Sequence, residues 1–221
     1  AVFTLAVAYL TWMIFHTQVQ RVIDLQKKEI ELVKKQLEMG NETVLTIAKT
    51  VDAKDVRTSQ HSERVAEYSV LIAKELGFDE KSCEDLKKAA LLHDIGKTKI
   101  PLSIIEKNGP LSKKEYELIK KHPAMGYEMI KDAGFSAITK DIVLHHHENE
   151  VGSGYPDGST CMDYETKIVA IADKYDGISS SRAYHPIPPS FYKSFVTIQS
   201  FCSQYGYAEQ IYTSMYRCKG L

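Results

Sequence analysis

The hydrophobic pattern divides the chain into three stretches of different kinds. Residues 1–15 are almost wholly apolar, and no charged residue occurs before Arg21. From residue 21 to about residue 53, apolar residues recur every seven positions. From residue 61 onward they follow the three- and four-residue spacing of amphipathic helices. No strand-like alternation of apolar and polar residues occurs, so the pattern predicts an all-α protein.

The apolar start of the chain favours a truncated transmembrane helix over residues 1–18. Fifteen residues rise only about 22 Å as a helix, whereas a hydrocarbon core is roughly 30 Å thick. The chain begins at Ala1 without an initiator Met, however, and Trp12 stands where a membrane-interface aromatic would. A signal-peptide core and a buried helix are the alternatives, and no small-residue cleavage pattern supports the first. The basic residues that follow predict that the rest lies on the cytoplasmic side.

The seven-residue repeat predicts a coiled-coil signalling helix over residues 19–54. Charged Glu and Lys residues flank the apolar seam, as expected for helices that pair in parallel. Gln26 and Gly40 interrupt the second set of seam positions, so the pairing is not tight everywhere. We expect a homodimer through residues 21–53, with a solvated helix packed on its own domain as the alternative. The seam residues are Ile23, Ile30, Val33, Leu37, Val44, Ile47 and Val51.

From residue 61 onward, residues typical of helix ends separate a series of predicted helices. Two of these helices cover residues 82–95 and 166–176. Pro123 disfavours helical geometry at His122, which predicts a bend there. The predicted helix-end residues are Gly77, the Ser112 and Glu115 capping box, and Ser136.

Composition narrows the class of partner. The net charge of −1 argues against a nucleic-acid polymer as ligand, since such binders carry a dominant basic face. The four cysteines are far apart and form no CxxC pair, which argues against a structural zinc site and against a disulfide framework. A reducing compartment fits this cysteine usage best.

Histidines and aspartates from several predicted helices form a candidate metal centre. His93 and Asp94 alone would suit a buried His–Asp hydrogen bond, but they are not alone. Lys97 follows Asp94 at i+3 and is expected on the same helical face. The three successive histidines at 145–147 face different ways, so at least one is expected to be functional. The candidate ligands are His61, His93, Asp94, His122, His146, His147 and Asp173.

Five imidazoles and two carboxylates exceed the four ligands of a tetrahedral zinc. They suit two six-coordinate divalent ions that share Asp94 and a hydroxide, and mixed nitrogen and oxygen ligands favour iron or manganese. In this hypothesis the bridging hydroxide attacks phosphorus in a phosphoester, with His93, Asp94 and Lys97 as the catalytic residues. Lys97, Arg182 and His185 would hold phosphates. Tyr155, in the glycine-rich loop at residues 152–158, would cover the substrate.

The motifs resemble those of the HD-GYP domains, a bacterial branch of the HD phosphohydrolases. The matching motifs are His93-Asp94-Ile-Gly-Lys97, His146-His147-Glu148, Gly154-Tyr155-Pro156, His61-Ser-Glu-Arg64, His122-Pro123 and Ile171-Ala-Asp173. The resemblance implies an HD-domain helical bundle over residues 55–185 that hydrolyses cyclic di-GMP to pGpG and/or GMP. It also implies that the seven candidates are the metal ligands, and that the substrate contacts are Lys97, Tyr155, Asp176, Arg182 and His185.

By the same resemblance, the protein is expected to be tethered to the bacterial inner membrane, with its catalytic domain in the cytoplasm. Three positions depart from the family pattern. Arg57 replaces the Glu of members with a third metal, so two metals are expected. Val151 stands at a common Asp position, and His185 replaces a basic residue. Residues 186–221 form an atypical C-terminal segment.

Two other functions remain open. One is a catalytically weak receptor that binds a cyclic dinucleotide, or that binds a partner protein such as a diguanylate cyclase through the loop at residues 152–158. The other is a phosphohydrolase that acts on a different nucleotide. Turnover of several nucleotides, compared with their binding, separates these hypotheses.

Overall fold

The computed structural model of the chain describes residues 2–52, 60–107, 109–180 and 190–218. Within these ranges the chain forms helices and no β-strand, which confirms the prediction of an all-α fold. A 3-10 helix, Ile95–Lys99, follows the third α-helix. The α-helices in chain order are α1 (Val2–Asp52), α2 (His61–Glu75), α3 (Glu80–Leu92), α4 (Leu102–Ile105), α5 (Lys113–Ile119), α6 (His122–Ile130), α7 (Ala137–His145), α8 (Tyr164–Ser179), α9 (Phe191–Tyr205) and α10 (Glu209–Cys218).

Packing divides the chain into two units, Ala1–Thr43 and Val44–Leu221. In the first unit, the seam residues Ile23, Ile30 and Val33 are exposed, so pairing with a second copy of the chain stays a prediction for this part. Among the helices of the described residues, none has both the length and the apolar character needed to cross a bilayer. The transmembrane helix predicted over residues 1–18 therefore gains no support.

The last turns of α1 belong to the second unit. Val44, Ala48 and Val51 are buried in its hydrophobic core. The carboxylate of Asp52 accepts hydrogen bonds from the backbone N–H and the hydroxyl of Ser62, at 3.0 and 2.7 Å. The heptad interpretation placed Val44 and Val51 in a seam between two chains. That is wrong for these positions, because their side chains fill the core of their own domain.

Helix α8 lies at the centre of the second unit and packs against α2, α7, α9 and α10. Ile168, Val169, Ile171 and Ala172 have no exposed surface, as expected for a helix covered on several sides. Helix α2 packs on α3, α3 packs on α7, and α7 packs on α6. This packing brings the first residues of α2 and α6 and the residues that follow α3 and α7 to one place beside α8.

The chain leaves α3 earlier than predicted, at Leu92 instead of residue 95. Asp94 has φ −96° and ψ 8°, outside the helical region, and the 3-10 helix follows it. Gly96 approaches α6 so closely that a Cβ atom there would collide with the backbone of His122. This close approach sets the His93–Asp94 turn beside α6. Lys97 therefore reaches Asp94 through a 3-10 turn and not along a shared α-helical face.

The capping predictions are confirmed. Ser112 and Glu115 form a capping box at the start of α5. The Ser136 side chain accepts a hydrogen bond from the backbone N–H of Thr139 at the start of α7. Gly77, with φ +85°, follows α2 in the left-handed conformation that glycine adopts readily.

The described part of the C-terminal segment completes the helical domain. Helix α9 packs on α8, and α10 packs on α2, α8 and α9. Ile198, Cys202 and Ile211 are wholly buried. Residues 190–218 of the segment that was atypical by sequence are therefore mostly helical and belong to the same hydrophobic core.

Candidate metal centre and substrate cleft

Six of the seven candidate ligands form two groups of possible metal ligands that share one residue. The two groups are His61, His93 and Asp94, and Asp94, His122, His146 and His147. Within each group the ligand atoms all lie within 4.8 Å of one another. The seventh candidate, Asp173, joins the first group through its Oδ1 atom, which is 3.2 Å from His61 Nε2.

The carboxylate of Asp94 lies between the two groups, and we call the seven side chains together the His/Asp cluster. Asp94 Oδ2 is 3.2 Å from His93 Nε2 and 3.7 Å from His61 Nε2. Asp94 Oδ1 is 3.1 Å from His122 Nε2 and 3.9 Å from His146 Nε2. Each oxygen therefore faces a different group, as a carboxylate that bridges two cations must.

The second ring nitrogen of four histidines is held by a hydrogen bond. Nδ1 of His93 donates to Ala90 O at 2.6 Å, and Nδ1 of His122 donates to Ile119 O at 2.8 Å. Nδ1 of His146 is 3.0 Å from Ile142 O. Nδ1 of His61 is 2.8 Å from Asp176 Oδ2. Because these bonds fix the Nδ1–H tautomer, each Nε2 can present its lone pair to a metal.

Two buried atoms of the cluster show that it fits a cation. His93 Nε2 and Asp94 Oδ1 make no well-formed hydrogen bond to any described residue, although both side chains are buried. A buried polar atom without a partner costs about 1–3 kcal/mol. A divalent ion between these atoms would remove that cost for both. The His/Asp cluster is thus able to bind divalent metal.

Burial, hydrogen bonds and neighbouring charges shift the pKa values of His61 and Asp94. Burial alone would lower the pKa of His61, but hydrogen bonds to Asp173 and Asp176 raise it to about 10. Burial would raise the pKa of Asp94, but the charges of Lys97 and His93 hold it well below its usual value. In the absence of a metal, the protein thus balances its carboxylates with a proton on His61.

The pKa values of two other imidazoles in the cluster, those of His146 and His147, are lowered instead. Burial and the neighbouring histidines lower the pKa of His146 well below its usual value. Burial is also the main reason that the pKa of His147 falls to about 3. Both rings are therefore neutral, which is the form that coordinates a metal.

Asp176 does not have the geometry of a substrate contact, the role that the family resemblance implied. Its side chain is buried, with 2% exposed, and its two oxygens accept hydrogen bonds from His61, Arg64 and Ser180. Arg64 Nε and Nη2 bind it at 2.6 and 2.9 Å. In the structure Asp176 therefore holds His61 in place and does not line the cleft, and its role as a substrate contact stays a prediction.

The other predicted substrate contacts lie in different places. Lys97 Nζ is 2.6 Å from Asp94 Oδ2, so its charge lies at the edge of the cluster. Tyr155 packs on His147, with 4.7 Å between ring centroids and 33° between ring planes. Arg182 and His185 lie outside the described residues, as does Arg57.

Of the three successive histidines, His145 lies outside the cluster. Its Nδ1 is 2.7 Å from Asp141 Oδ1, and Asp141 Oδ2 accepts a hydrogen bond from the Thr166 hydroxyl. At least one functional histidine was expected in this run. The structure places His146 and His147 in the cluster and His145 outside it.

Glu148 is a site residue whose role sequence reasoning missed, although it stands in a matching motif. Its side chain is buried, and Oε1 accepts hydrogen bonds from the backbone N–H groups of Asp157 and Gly158 at 2.7 and 2.9 Å. Gly154 packs against the Glu148 backbone so closely that a Cβ atom would collide with it. Glu148 thus fixes the loop that presents Tyr155. The sequence signal for this role is an acidic residue that stands four positions before a glycine-rich loop.

A cavity of about 920 Å³ opens beside the cluster. His146, His147 and Asp173 line it, together with Tyr155 from the loop. Other lining residues come from α5, α8 and α9. A cavity of this size can take a ligand as large as a dinucleotide, and the cluster is at its wall.

Comparison with known proteins identifies the family. Residues 46–190 match the model of the HD domain. The chain therefore belongs to the HD-domain family, and its resemblance to HD-GYP proteins is confirmed. The matched residues include every member of the His/Asp cluster.

Similar proteins carry phosphodiesterase names. The chain is 36% identical over 169 residues to the cyclic di-GMP phosphodiesterase response regulator RpfG of Xanthomonas campestris, which covers 75% of this chain and 45% of the relative. It is 34% identical over 166 residues to the 3'3'-cGAMP-specific phosphodiesterase 2 of Vibrio cholerae, covering 73% and 32%. An HDG"Y"P protein from Bdellovibrio bacteriovorus superposes with a TM-score of 0.57 at 25% identity, covering 72% of this chain and 51% of that one. The chain thus spans between about a third and about half of these proteins.

Proposed function

We propose that the chain is a metal-dependent phosphodiesterase that hydrolyses cyclic di-GMP to pGpG and/or GMP. The observation that carries this proposal is the position of Asp94, whose two oxygens face two separate groups of histidines. The phosphodiesterase names of similar proteins support the reaction class. The adjoining cavity of about 920 Å³ supports a substrate of dinucleotide size.

Two divalent ions, iron or manganese, held by the His/Asp cluster would supply an activated water and positive charge against the phosphoryl oxygens. The residues of the chain do the rest. Asp94 sets the spacing of the two groups, and the Nδ1 hydrogen bonds fix the direction of each imidazole. Lys97 places an ammonium beside Asp94, where it can bind a phosphate oxygen. Tyr155 covers the substrate from the loop.

A homodimer remains part of the proposal, but of the predicted range 21–53 only residues 21–43, which lie in the N-terminal unit, are left for the contact. The exposed side chains of Ile23, Ile30 and Val33 support it. Attachment to the bacterial inner membrane through the N-terminus, and a diguanylate cyclase-type partner at the loop of residues 152–158, are further proposals that rest on the family resemblance.

The test uses the purified chain prepared without oxygen. It is incubated with Mn²⁺ or Fe²⁺ and with cyclic di-GMP or 3'3'-cGAMP, and the products are separated by chromatography. We expect pGpG or GMP from cyclic di-GMP, and no product from the Asp94→Ala protein. Product formation by Asp94→Ala would contradict the proposal. Tight binding of cyclic di-GMP by the wild-type chain without product would support the receptor function instead.

A further inference from the structure

Helix α9 forms one wall of the cavity beside the metal centre. Lys193, Thr197, Phe201 and Tyr205 of α9 line this cavity together with Lys174 of α8. We call these five residues the α9 wall. They lie in the same cavity as the His/Asp cluster, although α9 belongs to the segment in which the motif resemblance fades.

The aromatic part of the α9 wall is anchored to the metal centre. The Phe201 ring is 4.7 Å from the Tyr205 ring and 5.7 Å from the Tyr207 ring, centroid to centroid. Tyr207 is buried, and its hydroxyl donates a 2.8 Å hydrogen bond to the carbonyl of Glu148. Glu148 directly follows the candidate ligand His147. Phe201 and Tyr205 are partly exposed, so they offer ring surface at a fixed place in the cavity.

The α9 wall also carries positive charge. Lys174 Nζ lies 4.8 Å from the centroid of the Phe201 ring, and Lys193 is exposed at the same cavity. A second set, made of one lysine and two tyrosines, also lines the cavity. There Lys120 Nζ is 5.7 Å from the Tyr116 ring centroid and 5.8 Å from the Tyr155 ring centroid. The cavity thus offers two places that combine aromatic rings with ammonium groups.

We propose that the α9 wall binds the half of a cyclic dinucleotide that is not being cleaved. Such a ligand has two purines and two phosphates, and only one phosphate can lie at the His/Asp cluster at a time. Purines stack on aromatic side chains, and ammonium groups bind phosphate. The inference rests on the proposed function and adds to it a second binding subsite, with Phe201 and Tyr205 for a base and Lys174 and Lys193 for a phosphate.

The test compares variants of the wall with matched controls elsewhere. Lys193→Gln and Phe201→Leu each remove one recognition group, and Leu retains most of the apolar volume at position 201. The controls are Lys87→Gln, an exposed lysine of α3, and Tyr192→Leu, whose side chain is 73% exposed and does not line the cavity. Calorimetry measures binding of cyclic di-GMP, and bis(4-nitrophenyl) phosphate reports on the metal centre with a substrate that has no purine.

We expect Phe201→Leu to weaken cyclic di-GMP binding about tenfold, since stacking on one base is worth about 1–3 kcal/mol. Lys193→Gln should weaken it about threefold, as expected for the loss of an exposed ion pair. The Lys193→Gln effect should shrink at high salt, because the lysine is exposed. Turnover of bis(4-nitrophenyl) phosphate should not change, and both controls should match the wild-type chain. Thermal melting of each variant checks the fold, and Lys193→Gln carries the test if Phe201→Leu unfolds.

Unchanged cyclic di-GMP binding in the wall variants would overturn the inference and leave the proposed function intact. An equal loss of bis(4-nitrophenyl) phosphate turnover would also overturn it, because the variant would then act on the metal centre or the fold. A wild-type chain that cleaves bis(4-nitrophenyl) phosphate but neither binds nor cleaves cyclic di-GMP would refute the proposed function itself.

Discussion

The His/Asp cluster and the α9 wall meet in one cavity, yet they are built differently. The cluster consists of polar groups that are mostly buried, and Nδ1 hydrogen bonds fix the direction of four of its imidazoles. The wall consists of lysines and rings that are exposed or partly exposed, and only its aromatic part is anchored through Tyr207.

The difference separates two tasks. Chemistry at a metal needs ligand atoms held within narrow limits, so the cluster is enclosed by the ends of α2, α3, α6 and α7. Recognition of a flat, charged ligand needs accessible rings and ammonium groups. Four of the five wall residues lie on α9, which the core holds through the buried residues Ile198 and Cys202. Substitutions in the cluster should therefore lower the turnover of every substrate. Substitutions in the wall should weaken the binding of large substrates only.

The largest loss of activity is expected from His146→Ala, for which His145→Ala is the matched control. His146 is buried in the cluster, whereas the adjacent His145 bonds to Asp141 outside it. We expect His146→Ala to lose bound metal and to lower kcat at least about a hundredfold for both cyclic di-GMP and bis(4-nitrophenyl) phosphate. His145→Ala should keep its metal content, measured by elemental analysis. Equal losses in the two variants would contradict the assignment of His146 to the cluster.

A smaller effect is expected from Asp176→Asn, which keeps the size of the side chain and removes its charge. Because Asp176 holds His61 Nδ1, metal affinity should fall about 10- to 100-fold while the KM for cyclic di-GMP stays nearly constant. The matched control is Asp141→Asn, which removes the carboxylate beside His145. If instead KM rose and metal affinity did not change, Asp176 would be the substrate contact that the family resemblance implied.

A smaller effect again is expected from Glu148→Ala, which alters the loop that presents Tyr155. Glu148→Ala removes the acceptor of the Asp157 and Gly158 N–H groups, so the loop should loosen and the KM for cyclic di-GMP should rise about tenfold. Glu148→Gln keeps an acceptor oxygen and should retain most of the affinity. Steady-state kinetics measure both. An unchanged KM in Glu148→Ala would show that the loop is held by other contacts.

The smallest effect is expected from Tyr207→Phe. This variant keeps the ring that stacks on Phe201 and loses only the hydroxyl that donates to Glu148 O. We expect a loss of about 1 kcal/mol in the free energy of unfolding and a two- to threefold rise in KM for cyclic di-GMP, since a net hydrogen bond is worth about that much. Denaturant unfolding and kinetics test the two parts. A large loss of metal would mean that α9 and α10 control the cluster itself.

The features of the fold and of the site that depend on local sequence pattern could be predicted from the sequence. Capping at Ser112 and Ser136 was predictable because each cap is set within four residues. The His/Asp cluster was predictable because the residue types and their motifs are distinctive, although the exact geometry was not. Asp94 leaves the helix early because Gly96 packs on α6, and a contact between distant segments has no local signal.

The wrong or missed predictions have the same physical origin. A heptad shows that one face of a helix is apolar, but not what covers it, so Val44 and Val51 fitted a dimer seam and a domain core equally well. The family resemblance implied a substrate contact at Asp176, whereas the packing of α2 on α8 brings its carboxylate to His61 and Arg64. The cavity wall on α9 was not predicted, because its residues follow no motif.

The measurement that tests the central claim most directly counts ions and turnover in the same samples. Metal-free protein is titrated with Mn²⁺ or Fe²⁺ without oxygen, while bound metal and cyclic di-GMP hydrolysis are followed together. The shared position of Asp94 predicts two bound ions per chain, turnover that appears as the second ion binds, and fewer ions with no turnover in Asp94→Ala. Full turnover with one ion per chain, or turnover by Asp94→Ala, would contradict it.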